Sequence, residues 1–285
     1  MKVATKRSTS FSHPGKYEQF PRYVALILLA SIFVLPIYWM AMSGLKGPKE
    51  IFSVPPTWIP STWHWEHFGS VFKELPFAKW MLNSGFVSIS VTLIALLTHA
   101  MAAYSLACLR FPGRRIIFGL IVGTLMIPFC VIMIPLYIQV RALGWIDSYW
   151  ALIIPGIPNA FGIFLLHQFY LGIPRELEEA ATVDGCSKAG IFFRIVLPLS
   201  KPILAALAVF FFVANWNNFL WPLLVTNSTS MKTVQVGIAG YSGQYQNPWA
   251  YIMSANTIAV IPNLLVFVLF QRQLMTSIAM SGIKG

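Results

Sequence analysis

The sequence FVSISVTLIALLTHAMAAYSL occupies positions 86–106 and contains no Asp, Glu, Lys or Arg. A helix rises about 1.5 Å per residue, so a run of this length spans roughly 30 Å, the thickness of the hydrocarbon core of a bilayer. The whole chain has this character, because 57% of its 285 residues are apolar and 10% are charged. Soluble domains carry about 25% charged residues. The sequence therefore predicts a polytopic helical membrane protein and excludes cytosolic enzymes and secreted modules.

Six apolar runs are long enough to cross a membrane, and none contains a charged residue. The predicted spans are 23–42, 86–106, 116–137, 150–166 with an extension to 169, 203–224 and 252–270. The first run is longer than the apolar core of a secretory signal, so we expect it to be retained. We predict an all-α fold with six transmembrane helices, in which residues 1–22 form an N-terminal tail and residues 23–285 form one six-span domain.

The distribution of basic residues predicts the orientation of these spans. Six spans place both termini on one side, and fourteen of the 20 Lys and Arg lie in the two tails or in the loops after spans two and four. Cytoplasmic loops are enriched in Lys and Arg, so both termini and loop 172–202 are predicted to be cytoplasmic. The C-terminal tail covers 271–285, and the loop at 225–249 is predicted to lie on the outer side. Basic residues on the cytoplasmic side account for the net charge of +11. We expect lipid around the chain and no nucleic-acid partner.

Nothing in the sequence predicts catalysis, a metal site or a cofactor. Cys108, Cys130 and Cys186 have no disulfide or metal-ligand spacing. The phosphate-binding pattern G-x-x-x-x-G-K-[ST] is absent, so any ATP hydrolysis is expected in another subunit. His99 and His167 are the titratable side chains expected at membrane depth, and a lone His in an apolar helix usually packs against its neighbours. An ion-coupled secondary carrier is therefore disfavoured, although it stays an alternative.

Loop 172–202 carries the clearest local signals. Its first part, PRELEEAATVDG at 174–185, has Pro174 in a position that suits a first helical turn and Gly185 in one that suits a left-handed helix end. Ser187 is placed to cap a second helix. Helical spacing gives the first helix a shared face of Leu177, Ala180, Ala181 and Asp184, and the second an apolar stripe of Phe192, Ile195, Val196 and Leu199. Spacing alone favours an amphipathic helix lying on its own protein or on the membrane over a docking surface.

The spacing within this loop resembles a known signature. Glu179-Ala180-Ala181, three residues, Gly185, nine residues and Ile195-x-Leu197-Pro198 are similar to the E-A-A-x3-G-x9-I-x-L-P signature of bacterial ABC-importer permease subunits. In that family the loop forms a coupling helix that enters a groove on the ATPase subunit. The resemblance implies an ATPase-coupling role for Glu179, Ala180, Ala181, Asp184, Gly185, Ile195, Leu197 and Pro198.

Further stretches resemble the smaller, maltose-type permease of carbohydrate-uptake ABC importers. These stretches are MLNS at 81–84, AAYSLA at 102–107, FPGR at 111–114, WNNFLWP at 216–222 and SGIKG at 281–285. Asn218 stands where that family has an acid, and Met280-Ser281 stand where it has smaller residues. The resemblance implies a type I ABC importer permease fold in a bacterial inner membrane. It also implies a heterodimer with a second permease, two ATP-binding subunits, an extracytoplasmic solute-binding protein, and a sugar, oligosaccharide, polyol or sugar-phosphate as solute.

The candidate solute contacts lie in the fifth span. On one continuous helix, Asn217, Asn218 and Trp221 fall within an arc of about 100°. Amides bind sugar hydroxyls and an indole covers apolar sugar faces, but asparagines in membrane helices equally bond to neighbouring helices. The outer loop either reaches toward the binding protein or is a simple connector. The remaining alternatives are an ABC permease for amino acids or peptides and a non-transporting scaffold.

Overall fold

The computed structural model describes residues 16–240 and 249–282, with side chains at 20–240 and 249–273. These residues form helices and connections and contain no β-strand, which confirms the all-α class. The helices are α1 Lys16–Gly44, α2 Pro48–Ile51, α3 Glu66–Glu74, α4 Phe77–Cys108, α5 Arg114–Gly123, α6 Phe129–Ala142, α7 Tyr149–Ile153, α8 Ala160–Leu171, α9 Arg175–Val183, α10 Lys188–Ile191, α11 Leu197–Leu199, α12 Lys201–Trp216, α13 Leu220–Val225, α14 Val234–Gly240 and α15 Trp249–Gly282. A π-helical turn, Phe192–Val196, separates α10 from α11, and 3-10 turns follow α5 and α7.

Four described helices are long and apolar enough to cross a membrane. They cover Phe20–Gly44, Phe77–Cys108, Tyr149–Leu171 and Trp249–Gln273. Two bent pairs bring the number to as many as six if each pair is one span: Arg114–Met126 with Phe129–Ala142, at 103°, and Lys188–Leu199 with Lys201–Trp216, at 76°. The predicted six spans are compatible with this arrangement.

The third and fifth predicted spans each consist of two helices. The run at 116–137 bends at Pro128, where Ile127 and Pro128 take extended backbone angles. Proline lacks an N–H and disfavours a helical residue before it, so the helix stops there. The run at 203–224 is interrupted because α12 ends at Trp216 and α13 begins at Leu220. The ring of Pro222 would clash with the carbonyl of residue 218 in a continuous helix, which accounts for the break.

Helix α4 is the central element of the bundle. It packs against α8 and α12, while α12 also packs on α15 and α15 on α1. Apolar side chains fill two clusters at opposite ends of α4. The cluster at its C-terminal end includes Tyr104, Leu166, Tyr170, Phe192, Val196, Leu207 and Phe211, and the cluster at its N-terminal end includes Phe77, Trp80, Phe212, Trp216, Val234 and Ile238. With 32 residues, α4 is roughly 48 Å long, so the two ends of the molecule are well separated.

Helices α1 and α15 run in opposite directions beside one another. The carbonyl of Gly44, at the end of α1, accepts a hydrogen bond of 3.0 Å from the hydroxyl of Ser254 near the start of α15. Side chains 20–38 of α1 are all exposed and mostly apolar, which fits a surface in contact with lipid. Because α1 begins at Lys16, part of the predicted N-terminal tail is helical, and residues 1–15 lie outside the described part.

The histidine at the middle of the bundle is a packed residue, as expected. His99 Nε2 accepts a hydrogen bond of 3.2 Å from the backbone N–H of Asn159, and its ring meets Phe211 edge to face at 5.4 Å. His167 is also buried, with its ring stacked on Phe118 at 3.9 Å between centroids. Both histidine rings therefore pack between helices.

Candidate functional site

The short helix α9 is formed by local signals at both of its ends. Pro174 precedes it, and Glu176 and Glu178 lie in its first turn, where carboxylates favour the positive end of the helix dipole. At the other end Gly185 has φ +80°, the left-handed region. The N–H of Cys186 donates to the carbonyl of Ala181 at 2.9 Å, and the N–H of Gly185 donates to that of Thr182 at 3.1 Å. These two bonds form a Schellman motif, so the predicted helix and its glycine end are confirmed.

The segment after Gly185 folds back onto the bundle. The hydroxyl of Ser187 accepts a hydrogen bond of 3.1 Å from the N–H of Gly190, which confirms the predicted cap of α10. The π-helical turn Phe192–Val196 follows. It has more residues per turn than an α-helix, so the side chains after it do not lie on the face that α-helical spacing predicts. Phe192 and Val196 are buried, but Leu199 is exposed, so the predicted stripe is wrong at that residue. Ile195 and Leu197 are half-buried and Pro198 is exposed.

Helix α9 lies at the surface of the bundle, and Ala181 is the one buried side chain among its residues. Ala181 belongs to the buried cluster that also contains Tyr104, Tyr170 and Phe192. The other three members of the predicted face, Leu177, Ala180 and Asp184, are exposed, so this face as a whole does not lie on the protein. Val183 is 88% exposed. The helix therefore presents apolar side chains outward while its base is anchored in the core.

A cavity of about 690 Å³ lies between α9 and the adjoining ends of α4 and α8. Its charged lining residues are Arg110, Arg114, Arg175, Lys188, Glu178 and Glu179. The Arg114 guanidinium also donates a hydrogen bond of 2.8 Å to the carbonyl of Leu109, which fixes the start of α5 beside the cavity. The cavity gives the protruding helix a charged groove along one flank.

Polar side chains at the opposite end of α4 hold the connection between α13 and α15. Asn83 donates to the carbonyls of Ser230 and Lys232 at 2.8 and 2.9 Å and accepts from the Tyr149 hydroxyl at 2.7 Å. Next to it, the Ser84 hydroxyl accepts from the N–H of Val234 at 2.8 Å. The connection is thus fastened to α4, and it contains helix α14 where the sequence predicted a loop. Residues 241–248 lie outside the described part.

Asp147 fastens the same connection from a second side. Its carboxylate accepts hydrogen bonds of 2.9 Å from the backbone N–H groups of Asn227 and Ser228. Partial burial alone would raise the pKa of this carboxyl, but the hydrogen bonds from Ser228 and Asn227 outweigh it and hold the pKa below its usual value. Sequence analysis did not find this residue, because its partners lie 80 positions away along the chain.

The three candidate solute residues do not share a helix face. Trp221 is 3% exposed, and its indole N–H donates to the carbonyl of Ala151 at 2.8 Å, so it packs between α13 and α7. Asn217 instead accepts hydrogen bonds from Gln235 of α14, at 3.3 Å, and from Asn263 of α15, at 3.2 Å. The predicted helical arc is wrong because the helix breaks between α12 and α13. The side-chain amides of Asn217, Gln235 and Asn263 form a cluster that the sequence did not predict, because its members belong to three separate elements.

Long apolar helices around a central helix, with a short exposed helix at one end and a connection held by polar contacts at the other, define a helical membrane protein. Comparison with known families agrees with this class, because residues 95–279 match the family described as binding-protein-dependent transport system inner membrane component. The chain belongs to this family. It is therefore an inner-membrane component of an ABC importer.

The chain is similar to permeases over most of its length. It is 35% identical to the arabinooligosaccharides transport system permease protein AraQ of Halalkalibacterium halodurans, over 92% of this chain and 95% of that protein. It is 30% identical to the sulfoquinovosyl glycerol transport system permease protein SmoH of Agrobacterium fabrum, over 98% of this chain and 100% of that protein. The sn-glycerol-3-phosphate permease protein UgpE of Pectobacterium atrosepticum is 34% identical over 88% of this chain and 92% of its own. The resemblance to carbohydrate-uptake permeases is confirmed.

A solved structure shows the same fold. The chain superposes on a bacterial ABC transporter involved in the import of the acidic polysaccharide alginate with a TM-score of 0.77, at 21% identity, over 94% of this chain and 100% of the other. At this identity the likeness supports the predicted importer-permease fold and carries no information about the solute.

Proposed function

We propose that the chain translocates a sugar, an oligosaccharide or a related polyol or sugar-phosphate through a path that it forms with a second permease subunit. The observation that carries the proposal is helix α9, an exposed amphipathic helix anchored by Ala181 at one end of the bundle. The relatives named above support the class of solute, since their transport systems carry arabinooligosaccharides, sulfoquinovosyl glycerol and glycerol phosphate.

In this proposal α9 is the coupling helix that fits a groove on an ATP-binding subunit. The contact is formed by the exposed residues Glu179 and Ala180 of the helix and Asp184 and Gly185 of the turn after it. Ala181 joins the helix to the cluster between α4, α8 and α12. Ile195, Leu197 and Pro198 lie in the returning segment that holds the helix against the bundle. Closure of two ATP-binding subunits would move α9, and the buried cluster would pass this movement to the spans because packed cores deform little.

The exposed apolar surface supports a membrane location with a partner permease. Helices α5 and α6 and the turn between them expose Ile116, Leu120, Met126, Val131 and Ile134, in addition to the exposed side chains of α1. An apolar surface of this extent faces lipid or another subunit. In this proposal the surface of α5 and α6 contacts lipid and the second permease of a heterodimer. The connection between α13 and α15 contacts the extracytoplasmic solute-binding protein.

We also propose that the protruding helix and both termini face the cytoplasm. The excess of Lys and Arg in loop 172–202 and in the tails favours this side. The antiparallel course of α1 and α15 supports it, because it directs the start of α1 and the end of α15 toward the end of the bundle that carries α9.

For the solute path we retain Asn217 and Asn218 and add Gln235 and Asn263. The cluster of side-chain amides that joins Asn217 to Gln235 of α14 and Asn263 of α15 offers donors and acceptors of the kind that sugar hydroxyls bind. Trp221, buried against α7, supports the path by holding α13 in place.

The proposal is tested by uptake of labelled arabinooligosaccharides and glycerol phosphate into cells that carry the complete set of subunits. We expect uptake of at least one of these solutes to fall when ATP is depleted and to persist when an ionophore collapses the ion gradients while ATP is kept constant. Cells without this chain serve as the control and should take up none of that solute by this route.

Uptake that stops with the ionophore while ATP is maintained would contradict the proposal and favour a secondary carrier. Uptake of amino acids or peptides alone would contradict the assignment of the solute class.

A further inference from the structure

Three side chains with metal-binding atoms meet between α1 and α3. His64, Glu66 and His67 each offer one ligand atom, and these atoms all lie within 4.8 Å of one another. Among the described residues this is the one group of three or more His, Cys, Asp or Glu side chains that meets this distance. The segment belongs to the loop between the first two spans, at the opposite end of the bundle from α9.

A hydrogen bond within the protein determines the tautomer of His67. Its Nδ1 lies 3.0 Å from the carbonyl oxygen of Gly44, an acceptor, so Nδ1 must carry the proton. The lone pair is then on Nε2, for which the structure gives no hydrogen bond. Histidines that bind metals in proteins typically donate their other ring N–H to a backbone carbonyl or a carboxylate in this way. The ring is also buried and lies against Tyr251 at 5.1 Å between centroids, which fixes its orientation.

His64 and Glu66 complete the group. The Nδ1 atom of His64 lies 2.7 Å from a carboxylate oxygen of Glu66, and the rings of His64 and His67 stack at 5.3 Å. A cation placed between these atoms would replace the shared proton. The ligand atoms, now within 4.8 Å of one another, would close around it to distances near 2.0 to 2.2 Å as the His64 ring turns out of its stack on His67.

The ligand types select the kind of metal. Two imidazoles and one carboxylate suit zinc and its neighbours among the transition metals, whereas Mg²⁺ and Ca²⁺ prefer ligand sets made of oxygen. Since the Glu66 side chain is 64% exposed, the side of the group toward solvent is open to a water molecule as fourth ligand.

We propose that His64, Glu66 and His67 bind one Zn²⁺ ion, with water as the fourth ligand. The ion joins the loop before α3 to the start of that helix, and through the contact of His67 with Gly44 it secures the end of α1. Ser254 of α15 donates to the same carbonyl, so the site lies where α1, α3 and α15 meet. This assignment departs from the sequence prediction that the chain holds no metal, and it does not depend on which solute is transported.

The test is zinc binding to the transporter complex, purified in detergent through a partner subunit with a tag that contains no histidine. Isothermal titration with ZnCl₂ is compared between the wild type and the variants His64→Gln and Glu66→Gln, which alter partly exposed ligands and leave the Gly44 contact intact. Glu74→Gln, an exposed carboxylate on the same helix, is the matched control. Cobalt replaces zinc in a second measurement, where intense visible absorption reports four-coordinate geometry.

We expect the wild type and Glu74→Gln to bind one equivalent of Zn²⁺ more than either ligand variant, or to bind it at least about tenfold more tightly. We also expect zinc to raise the unfolding temperature in the wild type and the control alone. The assignment is wrong if the wild type shows no zinc site beyond those of the two ligand variants, or if just one of the two variants weakens binding.

Discussion

Replacing Gly185 by valine is expected to abolish solute uptake while the protein still inserts into the membrane. Gly185 has φ +80°, and left-handed backbone costs an L-residue about 1–2 kcal/mol, with β-branched residues the least tolerated. A Cβ atom at this position would meet nothing within 4 Å, so the expected effect comes from the backbone conformation. The variant must open the Schellman motif or tilt α9, and either change removes the helix from the groove it is proposed to fit. We expect uptake to fall at least about tenfold.

The matched control is Gly185→Asn, because asparagine tolerates left-handed backbone better than other non-glycine residues. This variant should keep most of the uptake. Membrane levels of all three proteins are compared by immunoblot. Wild-type uptake by Gly185→Val at equal protein levels would show that the geometry of this turn does not matter for coupling.

Replacing Gly237 by alanine is expected to destabilise the protein by about 3 kcal/mol, the upper part of the range for overpacked cores. An added methyl group at this position would overlap the indole ring of Trp80. Trp80 has no room to yield, since it is 2% exposed and its indole N–H donates to the carbonyl of Thr229 at 2.7 Å. Helix α14 must therefore move away from α4, and the contact between Asn83 and the connection to α15 is strained. Thermal unfolding in detergent, followed by tryptophan fluorescence, measures the loss.

Gly85→Ala is the control for this prediction, because Gly85 lies in α4 near Trp80 and an added methyl group there meets nothing within 4 Å. Alanine favours a helix over glycine by about 1 kcal/mol, so this variant should be as stable as the wild type or more so. In the double variant Gly237→Ala with Trp80→Leu, the two costs should not add, since the smaller side chain makes room. Equal stability of Gly237→Ala and Gly85→Ala would contradict the packing described for α14.

The sequence predicted those elements whose signals are local. The apolar runs, the glycine end of α9 and the Ser187 cap all depend on residues within a few positions of one another, and the structure confirms them. The prolines that break the third and fifth spans were visible in the sequence. Each proline removes a backbone donor and interrupts its helix, which a membrane tolerates where neighbouring helices satisfy the freed groups.

Other features depend on contacts between distant residues and could not be predicted from one sequence. Asn217 meets Asn263 across 46 positions, and Asp147 meets Ser228 across 81. His64, Glu66 and His67 are close in sequence, but the contact that orients His67 comes from Gly44, 23 positions earlier. The π-helical turn before α11 has no composition signal comparable to a proline or a cap, so the register of the apolar stripe was predicted incorrectly beyond it.

Cross-linking of α9 to the ATP-binding subunit tests the central claim most directly. In a chain whose three cysteines are replaced by alanine, Val183→Cys places a thiol on the most exposed apolar residue of α9, and a photoreactive maleimide is attached to it. Val54→Cys, 95% exposed at the other end of the bundle, is the control. After illumination of the assembled complex, the account predicts a product with the ATP-binding subunit from Val183→Cys and none from Val54→Cys. A product from the control alone, or no product with that subunit from Val183→Cys, would contradict it.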